Sequence, residues 1–183
     1  MRLFTALALP DKLAHRLAAL GTGNSGLRPM TAEQLHVTLV FIGEVNPRDL
    51  TPIEDALTLV EPPPLELEAQ GLFDSRSGAL GLLVKPSVEL LGLQRKIHQA
   101  LAQIDGLRLE RRRYKPHLTL ARYRSQQPPQ LGQWVAEQQR LSYHWRVDRF
   151  GLYFSQLHPE GARYRLEAEF CRPPSLRPRR RST

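Results

Sequence analysis

Cysteine is all but missing from this chain of 183 residues: Cys171 stands alone. An internal disulfide is therefore excluded, and so is a zinc cage built on cysteines. A lone thiol fits a reducing compartment. Long apolar runs are missing too. The opening stretch Leu3 to Leu9 is far shorter than a bilayer span and runs into Pro10 and a helical pattern, with no small-residue cleavage site. It reads as a first β-strand of a cytoplasmic protein with no membrane partner. A Walker-type glycine loop is absent, so nothing signals nucleotide use as an energy source. Lysine is scarce, with Lys12, Lys85, Lys96 and Lys115 as the only examples among 26 basic residues.

Charge is distributed unevenly. The formal net charge is +8, and Arg172, Arg177, Arg179, Arg180 and Arg181 carry five of those charges in a final segment without acid. That segment, 172–183, reads as a disordered basic tail. Residues 1–171 read as a single domain of two similar lobes, large enough to bury a core without staples. A positive surface attracts nucleic acid, and the scarcity of lysine beside arginine fits a biased composition.

What the chain does contain is a short pattern used twice. His36-Val37-Thr38-Leu39 recurs as His117-Leu118-Thr119-Leu120, 81 residues later. Both copies sit in apolar, β-branched surroundings that predict strands, about Leu35–Val45 and Pro116–Tyr123. Side chains at i and i+2 share a face of a strand, so each copy offers one histidine and one threonine on the same side. Strict alternation sends Leu35, Val37, Leu39 and Phe41 to the opposite, core side. It also puts Arg122 out of phase with His117, so Arg122 could join the site only through a bend.

The remaining order is roughly β-α-β-α-β-β-α-β-α-β-β. Thr51-Pro52 is expected to open the second helix, with Thr51 as N-cap. Ser87 is expected to cap the helix carrying Leu90, Leu93, Ile97 and Leu101, with Gly106 past its end. Leu107–Glu110 is expected as a short strand, Pro128-Pro129 as the start of a weaker helix, and Tyr143–Phe154 as one strand.

Two histidines on facing lobes suit in-line chemistry at a phosphodiester, which needs a base on one side of phosphorus and an acid on the other. Imidazole serves either role near neutral pH. Two threonine hydroxyls can brace the non-bridging oxygens. No metal ligand set accompanies the motifs, and no cofactor is expected. His15 and His98 read as helix-surface residues, His144 as a packing residue on a strand and His158 as an exposed turn residue. Arg111-Arg112-Arg113-Tyr114-Lys115 runs into the second motif and could meet an RNA backbone. Phe41, Tyr114, Tyr123 and Tyr153 are candidates for stacking a base.

The segments Leu35 to Val45 and Pro116 to Arg122 resemble the two signatures of the 2H phosphoesterase superfamily. They are most similar to its prokaryotic RNA 2′,3′-cyclic phosphodiesterase branch, also called 2′-5′ RNA ligase. The opening Arg2 to Leu7 and the segment Leu152-Tyr153-Phe154-Ser155 share the resemblance. It implies a bilobal, pseudo-symmetric α+β fold with two antiparallel sheets lining a cleft and helices outside. It implies hydrolysis of RNA 2′,3′-cyclic phosphate ends to 2′-phosphomonoesters, with His36 as proton donor and His117 as proton acceptor; the two-histidine chemistry needs no metal, and a monomer is expected. Thr38, Thr119 and Arg122 would bind the phosphate. Ligation of 2′-5′ ends through the same site, or RNA-end binding without catalysis, are the alternatives.

Overall fold

The computed structural model describes residues 1–20, 26–75, 78–110, 112–124, 142–158 and 161–172. The expected helix after Pro128 and nearly all of the basic tail lie outside these residues. The strands are β1 (Arg2–Ala8), β2 (Arg28–Pro29), β3 (His36–Glu44), β4 (Leu65–Ser75), β5 (Ala79–Val84), β6 (His117–Arg122), β7 (Ser142–Val147), β8 (Arg149–Gln156) and β9 (Arg163–Cys171). The helices are α1 (Asp11–Leu20), α2 (Leu50–Thr58) and α3 (Val88–Leu101). The fold is α+β.

Among the described residues the strands make one antiparallel sheet in the order β7-β4-β5-β6-β3-β1-β8-β9, with β2 paired to β6. The order is a palindrome in function. Each half has four strands, and the motif strand of each half is innermost. The halves meet where Val37 of β3 faces Leu118 of β6. The two expected antiparallel sheets are thus the two halves of one continuous sheet, joined between the motifs.

The segment expected as one strand, Tyr143–Phe154, is two. Burial falls on Tyr143 and Trp145, then changes phase to Phe150 and Leu152. Asp148 alone separates β7 from β8, yet β7 borders β4 at one edge while β8 borders β1 in the other half. Strands so close in sequence can sit so far apart in pairing order only if the sheet curls until its two halves approach.

The core lies between this sheet and the helices. Leu3, Leu7, Val37, Leu118 and Leu152 from the strands and Leu17, Ile53, Leu57, Leu90, Leu93 and Ile97 from the helices are almost wholly buried. The spacing of the helical members matches one apolar face each. Ser87 caps α3 as expected, its Oγ accepting from Leu90 N at 3.1 Å, and Gly106 beyond its end has φ +86°, where glycine costs least. Thr51 is not a cap. A 3₁₀ turn, Pro47–Asp49, precedes α2, and the Asn46 side chain accepts from Arg48 N at 3.2 Å, so the chain turns helical one turn earlier. Leu107–Glu110 forms no strand. Leu107 and Leu109 pack against the core from a loop instead.

Candidate active site

The register at the centre of the sheet brings the motifs together. Because Val37 faces Leu118 in antiparallel sense, His36 comes opposite Thr119, and Thr38 opposite His117. The histidines then occupy one diagonal and the threonines the other. Diagonal neighbours across such a pair are about 7–8 Å apart. Val37 and Leu118 are fully buried, so their flanking residues project from the other face. All four line a single pocket of ≈ 380 Å³.

Arg122 lines the same pocket, and the register explains how. β5 and β6 pair Leu82 with Leu118 and Gly81 with Thr119, but then Leu80 with Ala121, skipping Leu120. Leu120 is a bulge residue, and a bulge shifts the alternation by one. Ala121 therefore takes the core side and Arg122 returns to the pocket face. The first motif repeats the device. β1 and β3 pair Ala6 with Thr38 and Thr5 with Val40, skipping Leu39. Phe41 is therefore turned to the pocket rather than the core, and it is 36% exposed. Alternation alone misplaces both residues. The hydroxyl of buried Thr5 replaces the interrupted ladder, accepting from Val40 N at 3.1 Å and donating to Val40 O at 3.4 Å.

The two imidazoles are held alike. His36 Nδ1 lies 2.7 Å from Gln34 O, and His117 Nδ1 lies 2.8 Å from Lys115 O. A carbonyl only accepts, so Nδ1 donates in both rings and Nε2 carries the lone pair in the neutral form. Gln34 is itself fixed. Its side chain accepts from Thr31 N at 2.9 Å and donates to Ala162 O at 2.6 Å, which ties the β8–β9 connection to the rim of the pocket.

The surroundings of the two rings differ. His36 lies 4.8 Å from the Phe4 ring and 5.1 Å from Tyr164, which meets it edge-on. Phe4 in turn stacks on Tyr153 at 5.4 Å. This burial, with lesser contributions from His117 and Arg122, outweighs the Gln34 hydrogen bond and lowers His36 to about 4. The pseudo-symmetry also breaks one step along each strand, where Phe4 faces Phe41 in one half and Ala79 faces Arg122 in the other. Arg2 lies over the Phe41 ring at 4.9 Å. The pocket thus has aromatic rings packed about His36 and the cations Arg2 and Arg122 in its lining.

Tyr114, a candidate for base stacking by sequence, is placed otherwise by the fold. Its hydroxyl is committed elsewhere, donating to Thr38 O at 3.0 Å, and burial pushes its pKa well up. It tethers the approach to the second motif to the first motif, beside the Val37–Leu118 pair. Tyr114→Phe is expected to cost about 1 kcal/mol and lower the unfolding midpoint by roughly 2–4 °C. An unchanged midpoint in a thermal melt would show that the tether carries no load.

His15 is exposed and His98 half-buried on their helices. His144 is not a packing residue: its side chain is 68% exposed, with Nε2 3.1 Å from Ser142 Oγ. His158 is half-buried rather than exposed. Among the described residues no group of three or more His, Cys, Asp or Glu could hold a metal ion, and no helix is long and apolar enough to cross a membrane.

Residues 9–158 match the model of the 2′-5′ RNA ligase superfamily. The chain belongs to that superfamily. An RNA 2′,3′-cyclic phosphodiesterase of Archaeoglobus fulgidus is 30% identical over 173 residues, covering 90% of this chain and 97% of the relative. One from Thermus thermophilus is 29% identical over 187 residues, covering 93% and 89%. The crystal structure of E. coli LigT complexed with phosphate superposes with a TM-score of 0.69 at 25% identity, covering 93% of this chain and 96% of that one. The family and the fold therefore agree with the resemblance drawn from His36–Leu39 and His117–Leu120.

Proposed function

We propose that this enzyme hydrolyses the 2′,3′-cyclic phosphate at an RNA end to a 2′-phosphomonoester, by acid–base catalysis between two histidines. The observation that carries the reading is the convergence of His36, Thr38, His117, Thr119 and Arg122 on one pocket. Relatives named for this activity, aligned along almost their whole length, support it.

Water attacks phosphorus in line with the bond to the 3′-oxygen. His117, through Nε2, takes a proton from that water. His36, through Nε2–H, gives a proton to the 3′-oxygen as the P–O3′ bond breaks. Phosphorus keeps its bond to the 2′-oxygen, and the histidines exchange protonation states. Thr38 and Thr119 donate to the non-bridging oxygens, and Arg122 offsets the charge that grows on them. The donor role makes a demand on His36. At about 4 its imidazole is neutral in the free protein at pH 7, so the bound phosphate must raise it. The aromatic walls strengthen that coupling, since charge interactions grow as water is excluded.

The test is hydrolysis of a nucleoside 2′,3′-cyclic phosphate in EDTA, with the product resolved by phosphorus NMR. Undiminished rates and a 2′-monoester are expected, because the side chains supply every proton transfer. Loss of activity in EDTA, restored by a divalent ion, would replace this mechanism with a metal-dependent one. Binding of the cyclic end without turnover would favour an RNA-end-binding module.

A further inference from the structure

The phosphate pocket opens sideways into a second groove of ≈ 280 Å³. The two share Thr38, Phe41 and His117 as walls, so they are one continuous trench. The far wall of the groove carries Arg112, Arg113 and Lys115, all exposed. Arg112 is engaged by Glu110 at 2.9 Å. Among the described residues neither Arg113 nor Lys115 has an ion-pair partner. Two uncommitted cations therefore flank a channel that leaves an anion site at the edge of His117. The opposite rim of the phosphate pocket is formed by Leu157, Ala162 and Tyr164, with the Arg28 guanidinium beside Gly161.

We propose that this groove holds the sugar–phosphate backbone just 5′ of the terminal nucleotide, with Arg113 and Lys115 contacting its phosphates. The inference rests on the cyclic phosphodiesterase reading and makes it narrower. The preferred substrate is an RNA chain rather than a free cyclic nucleotide, and its recognition along the groove is independent of sequence. A terminal nucleotide with its cyclic phosphate between the histidines must send its 5′ phosphate out of the pocket. The groove is an exit whose far wall carries matching charge in Arg113 and Lys115. Point contacts to phosphates position a chain without reading bases.

The test compares kcat/KM for a pentanucleotide ending in a 2′,3′-cyclic phosphate with that for a nucleoside 2′,3′-cyclic phosphate, across a salt series. The wild-type protein is expected to favour the pentanucleotide by about tenfold or more at low salt. That advantage should fall with log salt at a slope of about −0.7 per phosphate contacted, the single-strand value. In the Arg113→Gln/Lys115→Gln variant the preference should drop to within about twofold. The ratio is the proper readout because Lys115 O also holds His117: any disturbance of that ring affects both substrates and cancels. Charge from the basic tail is common to both proteins and cancels between them. A preference unchanged in the variant, or equal salt slopes for both substrates in the wild type, would overturn the groove assignment alone. Failure of the wild type to hydrolyse either substrate would overturn the cyclic phosphodiesterase reading and the groove with it.

Discussion

Replacing either His36 or His117 with alanine should lower kcat on a nucleoside 2′,3′-cyclic phosphate by about 10²–10⁴-fold, the usual scale for a lost general acid or base. The double variant should be scarcely worse than the poorer single one. A proton delivered to the 3′-oxygen is of little use when none is taken from water, so the two rings act as a unit and their losses do not add. Thr38→Ala and Thr119→Ala should be milder, about 10–10³-fold, since each removes one donor to the phosphate and leaves the other and Arg122 in place. His36 also packs between Phe4 and Tyr164, so its variant needs a thermal melt beside the kinetics. Near-normal turnover in a folded single variant would show that its histidine only fills space.

The doubled motif was legible in the sequence because it depends on local rules. Period-two alternation placed each histidine and its threonine on one face, and the repeat implied a shared site. Ser87 and Gly106 marked the limits of α3 for equally local reasons. The misreadings share a different cause. Phe41 reaches the pocket through a bulge at Leu39, and the bend that Arg122 was expected to need is the bulge at Leu120. A bulge is set by how two strands pair, and neither strand alone announces it. The split at Asp148 belongs to the same class: only the partners β4 and β1 reveal that one continuous β-pattern serves two halves. The asymmetry of the pocket was hidden as well. It arises from Phe4 and Tyr164, which lie far from the first motif in sequence and meet His36 only in the fold. A signal for Phe4 existed in the resemblance of the opening segment, but nothing local connected it to His36.

Anion binding should be coupled to proton uptake at His36, with an affinity for sulfate that rises steeply toward acid. Sulfate remains a dianion across the range, so any pH dependence belongs to the protein. In the free protein His36 is lowered from 6.5 to about 4, mainly by burial. A dianion in the pocket favours the charged imidazole and raises that value. Between about 4 and the raised value, the complex therefore holds a proton that the free protein lacks. Affinity should then increase as pH falls through that window, at up to about tenfold per pH unit. Without sulfate, the same residue works in the opposite direction on stability. The fold favours neutral His36, so its stabilising contribution is complete above about 6.5. It is lost as pH falls from there toward about 4, because the unfolded chain takes up the proton first. His36→Gln should flatten both trends. Calorimetric titration in buffers of different ionisation enthalpy measures the proton uptake directly. Equal uptake in wild type and His36→Gln would mean that the bound anion leaves His36 neutral, and a neutral ring could not serve as the proton donor.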